Sequence, residues 1–155
     1  MRRMGVWLVT VLAFAAVPAL AEVLVNDRAE ISIDVYVDCA NGGAGEVVTL
    51  TGPLHTLITE TFNGQNVSGK VHFQPQGLSG TGQDTGASYH ATGVTQETFT
   101  SSLQNGQGTL SFVNNFRIIG QGPGNNFLVH ETVHLTFNAD GTTIVDHENF
   151  SVECK

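Results

Sequence analysis

From Ile31 onward, apolar and polar residues alternate with a period of two. Ile31, Ile33, Val35 and Val37 interleave with Ser32, Asp34, Tyr36 and Asp38, as in a strand with one dry face and one wet face. Gly45–Thr51 is a short stretch rich in Val and Thr, which Gly52-Pro53 is expected to bend or end. Leu54–Phe62 and Asn66–Gln74 flank Asn63-Gly64, a dipeptide suited to the positive φ of a tight hairpin. A two-residue turn there sets Leu54 opposite Phe73 and Ile58 opposite Gly69, so each strand's apolar set shares a face. Gly77–Gly86 reads as a loop. A second pair, Ala87–Gln104 and Gln107–Ile119, turns at Asn105-Gly106 and places Phe99 opposite Phe112. Gly120–Asn125 is a tight turn, and the last pair, Phe127–Asn138 and Thr142–Glu153, turns through Ala139-Asp140-Gly141.

After the first residues, no stretch combines a helical period with a capping signal. The expected fold is all-β, an antiparallel meander of about eight strands whose length favours a small up-and-down β-barrel. A β-sandwich is the alternative. An outer-membrane barrel fits poorly, because one face of nearly every strand is Thr, Ser, Asn or Gln and the sole Trp is Trp7.

The amino terminus differs in kind. Arg2 and Arg3 precede an uncharged apolar stretch from Val6 to Val17, and Pro18 leads into Ala19-Leu20-Ala21. This is the pattern of a cleaved signal peptide, and the stretch is shorter than the roughly 20 residues of a spanning helix. Residues 1–21 are therefore expected to leave and 22–155 to form a single all-β domain, secreted or periplasmic. The mature chain keeps four basic side chains (Arg28, Lys70, Arg117 and Lys155) against 14 acidic ones, a net charge of −10. Such a surface repels nucleic acid and anionic lipid. Cys39 and Cys154 both survive cleavage, and an even pair in an oxidising compartment is most simply a disulfide. Its two ends would close the first strong strand against the last.

Two sets of polar side chains carry candidate chemistry. His130-Glu131-Thr132-Val133-His134 matches HExxH, but that motif ligates zinc from a helix. On a strand the two imidazoles sit about 13 Å apart and Glu131 faces away from both. A cross-strand site remains open: His147 shares the facing parity of His130 and His134, and opposes either Thr132 or His134 depending on register. His55 and His72 become directly opposite if the Asn63-Gly64 turn holds two residues. Either pair could bind a divalent metal or titrate together. His90 has no evident partner.

The second set is acidic. Glu131 interrupts the apolar face of Phe127, Val129, Val133, Leu135 and Phe137, while Asp146 and Glu148 interrupt Ile144, Phe150 and Val152. Simple alternation gathers these three carboxylates inward as a candidate ligand-binding group. Arg117 is a candidate partner, although alternation puts it on the other face from Phe116 and Ile118. No nucleophile elbow, phosphate loop, EF-hand or redox CxxC is present, and no cofactor is expected.

The stretches VDCANGGAGE (37–46), VSGKVHFQPQGLSG (67–80) and NNFRIIGQGPGNNFLVHETVHLTFNADG (114–141) resemble a recurring group of uncharacterised secreted bacterial proteins. The resemblance implies bacterial export and assigns no ligand. In architecture alone, the meander is similar to lipocalin-like and avidin-like barrels. The leading expectation is a secreted, non-enzymatic β-barrel that binds a small apolar ligand or a macromolecular partner. The alternatives are a structural, surface-associated assembly protein and a small barrel enzyme or metal-binding protein.

Overall fold

The computed structural model describes residues 20–122 and 125–155. Of the expected signal segment, residues 1–21, those up to Ala19 lie outside them, and Leu20 and Ala21 begin the first strand. The described chain is an antiparallel meander of eight strands: β1 (Leu20–Val37), β2 (Glu46–Phe62), β3 (Asn66–Pro75), β4 (Ser79–Gly82), β5 (Ser88–Ser102), β6 (Gly108–Gly120), β7 (Asn126–Phe137) and β8 (Thr143–Cys154). A short helical turn, α1 (Ala40–Gly43), follows β1. No helix among the described residues is long and apolar enough to cross a membrane.

The strands run in the order β1-β2-β3-β5-β6-β7-β8, with β4 paired to both β2 and β5. The pairings therefore close a ring, β2–β3–β5–β4, in which β3 and β4 follow one another between β2 and β5. This corrects the expectation of a plain loop over Gly77–Gly86. The residue that lets β4 enter is Gly80: a Cβ there would stand 1.7 Å from the Thr49 carbonyl oxygen. Nor does Gly52-Pro53 end β2. It falls where β2 exchanges β4 for β3, and Gln76 N–H donates to the Pro53 carbonyl at that changeover.

Two turns are longer or later than a plain Asn-Gly turn. Asn63 N–H bonds to the Asn66 carbonyl, so Gly64, with φ 84°, and Gln65 form the turn. The Asn63 side chain accepts from the backbone N–H groups of Gln65 and Asn66, which favours Asn at the position before the glycine. Leu54 consequently opposes Pro75, two residues beyond Phe73. At the next hairpin Ser102 N–H bonds to the Gln107 carbonyl, and Phe99 opposes Leu110 instead of Phe112. Each shift is by two residues, so every side chain keeps its expected face.

The core occupies one end of the sheet. Val37, Val48, Leu50, Leu78, Tyr89, Ala91, Ile118 and Phe127 are buried there, with Ile31, Ile33, Val35, Leu54, Phe116 and Val129 packed against them. We call the face that carries these residues the inner face. Cys39 and Cys154 are joined by a disulfide whose Cα atoms lie 5.6 Å apart. It ties the turn after β1 to the end of β8, so the sheet curls around its core at this end. Among the described pairings β1 bonds to β2 and β8 to β7, with no ladder between β1 and β8. The expected neighbourhood of first and last strands is thus made by the covalent bridge and not by hydrogen bonds. Away from that end the molecule opens: Leu20, Val23 and Leu24 on β1 and Ile144, Val145, Phe150 and Val152 on β8 are exposed.

Candidate functional site

The segment His130–His134 lies in β7 with its side chains alternating, as the β-branched surroundings require. His130 opposes Asn115 on β6 and Ser151 on β8, and its Nδ1 is hydrogen-bonded to the Asn115 side chain. His134 opposes Ser111 on β6 and His147 on β8. Of the two registers open in the sequence, the chain adopts the one that faces the two imidazoles across the ladder. Between His134 and Leu135 the register shifts, because β8 carries one extra residue, Asp146.

That bulge overturns the expected inward carboxylate group. A bulge breaks the alternation of a strand, and it turns Asp146 to the outer face. Its Oδ2 accepts from the Thr136 hydroxyl and lies 3.7 Å from His134 Nε2. Glu131 and Glu148 remain on the inner face, opposite Phe150 and Val133 respectively, so they are not directly paired. Arg117 is on the outer face, opposite Thr92 and Leu128, and cannot neutralise the inner acids. It lines a shallow outer groove of about 200 Å³ with Asn115, His130, Ser151 and Glu153, whose carboxylate is paired to Lys155 at 2.9 Å.

The other histidine pair is not assembled as expected. The two-residue shift at Asn63–Asn66 puts His55 opposite Gln74 and His72 opposite Leu57. His55 Nε2 is 2.8 Å from Asn26 Oδ1, while His72 Nδ1 is 3.4 Å from Gln96 Nε2. His90 opposes Ser79 and Ile119.

One buried carboxylate is a group that sequence reasoning missed. Glu46, 1% exposed, starts β2 and points into the core end. Its carboxylate accepts from the backbone N–H groups of Asp84 and Thr85, from the Thr85 hydroxyl at 2.8 Å and from the Tyr89 hydroxyl at 2.9 Å. Gly82 makes room for it, since a Cβ there would stand 2.2 Å from the carboxyl carbon. Burial pushes the Glu46 pKa up, but the hydrogen bonds from Thr85, Tyr89 and Asp84 outweigh it and hold the carboxyl below its ordinary value. Burial, together with the adjacent Glu46 carboxylate, pushes the Tyr89 phenol up to about 12. The arrangement fastens the loop between β4 and β5 to the start of β2. Nothing in the sequence marks it, because Glu46 and Thr85 are far apart and an isolated Glu before Val47-Val48 reads as a wet strand end.

Leu50, Leu78, Tyr89 and Ile118 fill the curled end. A depression of about 580 Å³ is open and sits by the hairpin tips, lined by Asn63, Asn66, Val67, Ser68, Thr100 and Thr109 among others. No family model, curated protein or solved structure matches the chain.

Proposed function

We propose that this chain is a secreted, non-enzymatic binding protein that takes an extended segment of another protein along β8 by strand addition. The observation that carries this reading is the state of β8. Among the described residues it is hydrogen-bonded to β7 alone, and eleven of its twelve residues are exposed. Ile144, Val145, Phe150 and Val152 are 37–60% exposed. A free edge offers unpaired N–H and C=O groups, and proteins that avoid pairing commonly guard such edges with Lys or Pro. Residues 143–154 contain neither. The bulge at Asp146 limits the regular stretch to His147–Glu153, long enough for a short peptide to dock by main-chain hydrogen bonds.

Charge favours a different chain over a second copy. β8 carries Asp146, Glu148 and Glu153, and β1 carries Glu22, Asp27, Glu30 and Asp34. Edge-to-edge pairing of two copies would set acids beside acids in a chain of net charge −8. A segment alternating apolar and basic residues complements both features. The filled core end and the openness of the depression by the hairpin tips argue for this surface over an internal apolar ligand.

An acetylated eight-residue peptide alternating Val and Lys provides the test, by fluorescence anisotropy against its Val/Glu counterpart. The Lys peptide is expected to bind saturably and at least tenfold more tightly than the Glu peptide. Val152→Lys and Phe150→Lys are expected to weaken it by a similar factor while the circular dichroism stays unchanged. Equal binding of the two peptides, no saturable binding of either, or indifference to both substitutions would overturn the reading.

A further inference from the structure

We propose that His134, Asp146 and His147 bind one divalent transition-metal ion, of the zinc or copper class, on the outer face of the β7–β8 ladder. The site meets the strand-addition stretch at His147 but stands on different observations. The first is register. His134 and His147 are direct cross-strand partners, and the Cβ atoms of such a pair lie about 4.5–5.5 Å apart. Two imidazoles on such a base can converge on one ion.

The second observation is the bulge. By adding Asp146 to β8 it delivers a carboxylate to the face that holds both imidazoles, where strict alternation would have sent it inward. Asp146 Oδ2 lies 3.7 Å from His134 Nε2. Two ligands with bonds of about 2.0–2.2 Å at a tetrahedral ion stand about 3.3–3.6 Å apart, so this pair is within a few tenths of an ångström of a chelating distance.

The third is the surrounding hydrogen bonding. His134 Nδ1 lies 2.7 Å from Ser111 Oγ, which fixes the ring and leaves Nε2 facing Asp146. The Thr136 hydroxyl donates to Asp146 Oδ2 and holds that carboxylate in place. Metal-binding imidazoles are held in this way, with the second ring nitrogen engaged by a neighbour. The side chains of His134 and Asp146 are 40% and 38% exposed, so an ion reaches them from solvent. Among the described residues no three such groups already surround a single point, and rotation of the exposed His147 side chain completes the set.

Two nitrogens and one carboxylate oxygen suit zinc and copper, and not calcium or magnesium, which prefer all-oxygen shells. His130 takes no part: it sits four residues along β7 from His134, about 13 Å away at the rise of a strand, and bonds to Asn115 instead.

The test uses untagged, chelator-treated, full-length mature protein and isothermal titration with zinc chloride and copper chloride at pH 7.5. One ion per chain is expected. His134→Ala and His147→Ala should each weaken binding at least tenfold and Asp146→Asn several-fold, while His90→Ala leaves it unchanged. Electron paramagnetic resonance of the copper form should show coupling to two nitrogens, reduced to one in either His variant. Circular dichroism of each variant separates loss of the site from loss of the fold. Absence of saturable one-to-one binding, or binding of equal strength in the His134→Ala/His147→Ala double variant, would overturn the assignment.

Discussion

Replacing both cysteines, as Cys39→Ser with Cys154→Ser, is expected to lower the unfolding free energy by about 5 kcal/mol. The bridge joins residues 115 apart, and in the chain-entropy model a loop of that length is worth about 4.8 kcal/mol. For a domain of this size the loss corresponds to a fall in Tm of about 15 °C. The effect should also be local. Among the described residues β8 is held by its ladder to β7 and by the disulfide, and it buries almost nothing. Once the bridge is gone, β8 should fray before the rest of the sheet unfolds. Thermal unfolding followed by circular dichroism measures the first effect, and proteolysis within 143–153 under native conditions measures the second. A Tm unchanged within a few degrees would show that the curled end needs no covalent tie.

Glu46→Gln is expected to cost about 2–4 kcal/mol and to flatten the acid limb of the stability profile. The substitution keeps the volume but removes the charge that four donors converge on, and its amide nitrogen would meet one of them donor to donor. The sign of the pH dependence follows from the direction of the shift. The folded-state pKa of Glu46 lies below the unfolded value. Its stabilisation is therefore fully present above the unfolded pKa near 4.5 and is lost as the pH falls through the folded pKa. Tyr89 acts at the other extreme. Its folded pKa of about 12 exceeds the ordinary 10, so its contribution is complete below pH 10 and is lost between pH 10 and 12. Urea midpoints of the native protein and the Gln variant from pH 3 to 7 measure the acid limb. Parallel profiles for the two would show that Glu46 does not carry the difference.

The strand pattern was legible because one face of each strand near the disulfide is buried. Ile31, Ile33, Val35 and Val37 alternate with exposed neighbours as their spacing requires. Hairpin faces were legible even where the pairing was not. The Asn63 and Asn105 turns each displaced the ladder by two residues, which preserves parity but separates His55 from His72. What sequence could not show was the single extra residue in β8. A bulge leaves no compositional mark in Thr143–Cys154, yet it sends Asp146 to the opposite face and dissolves the carboxylate group inferred from alternation. The Glu46 network was hidden for a different reason. Its donors arrive from β5 and the loop before it, some 40 residues along the chain, and their convergence depends on β4 entering beside β2. The exposure of Ile144, Phe150 and Val152 was equally invisible. Their even spacing is that of one buried face, but the bulge puts Ile144 on the outer face, and the position of β8 at the edge leaves Phe150 and Val152 uncovered.

Amide hydrogen exchange along β8, in dilute oxidised monomer, tests the open edge most directly. With a ladder on one side, N–H groups bonded to β7 should exchange slowly and the intervening ones quickly, a period-two pattern from His147 to Glu153 that the bulge at Asp146 interrupts. Uniform slow exchange along β8, matched on β1 from Glu22 to Glu30, would place a second ladder between the first and last strands and contradict the free edge.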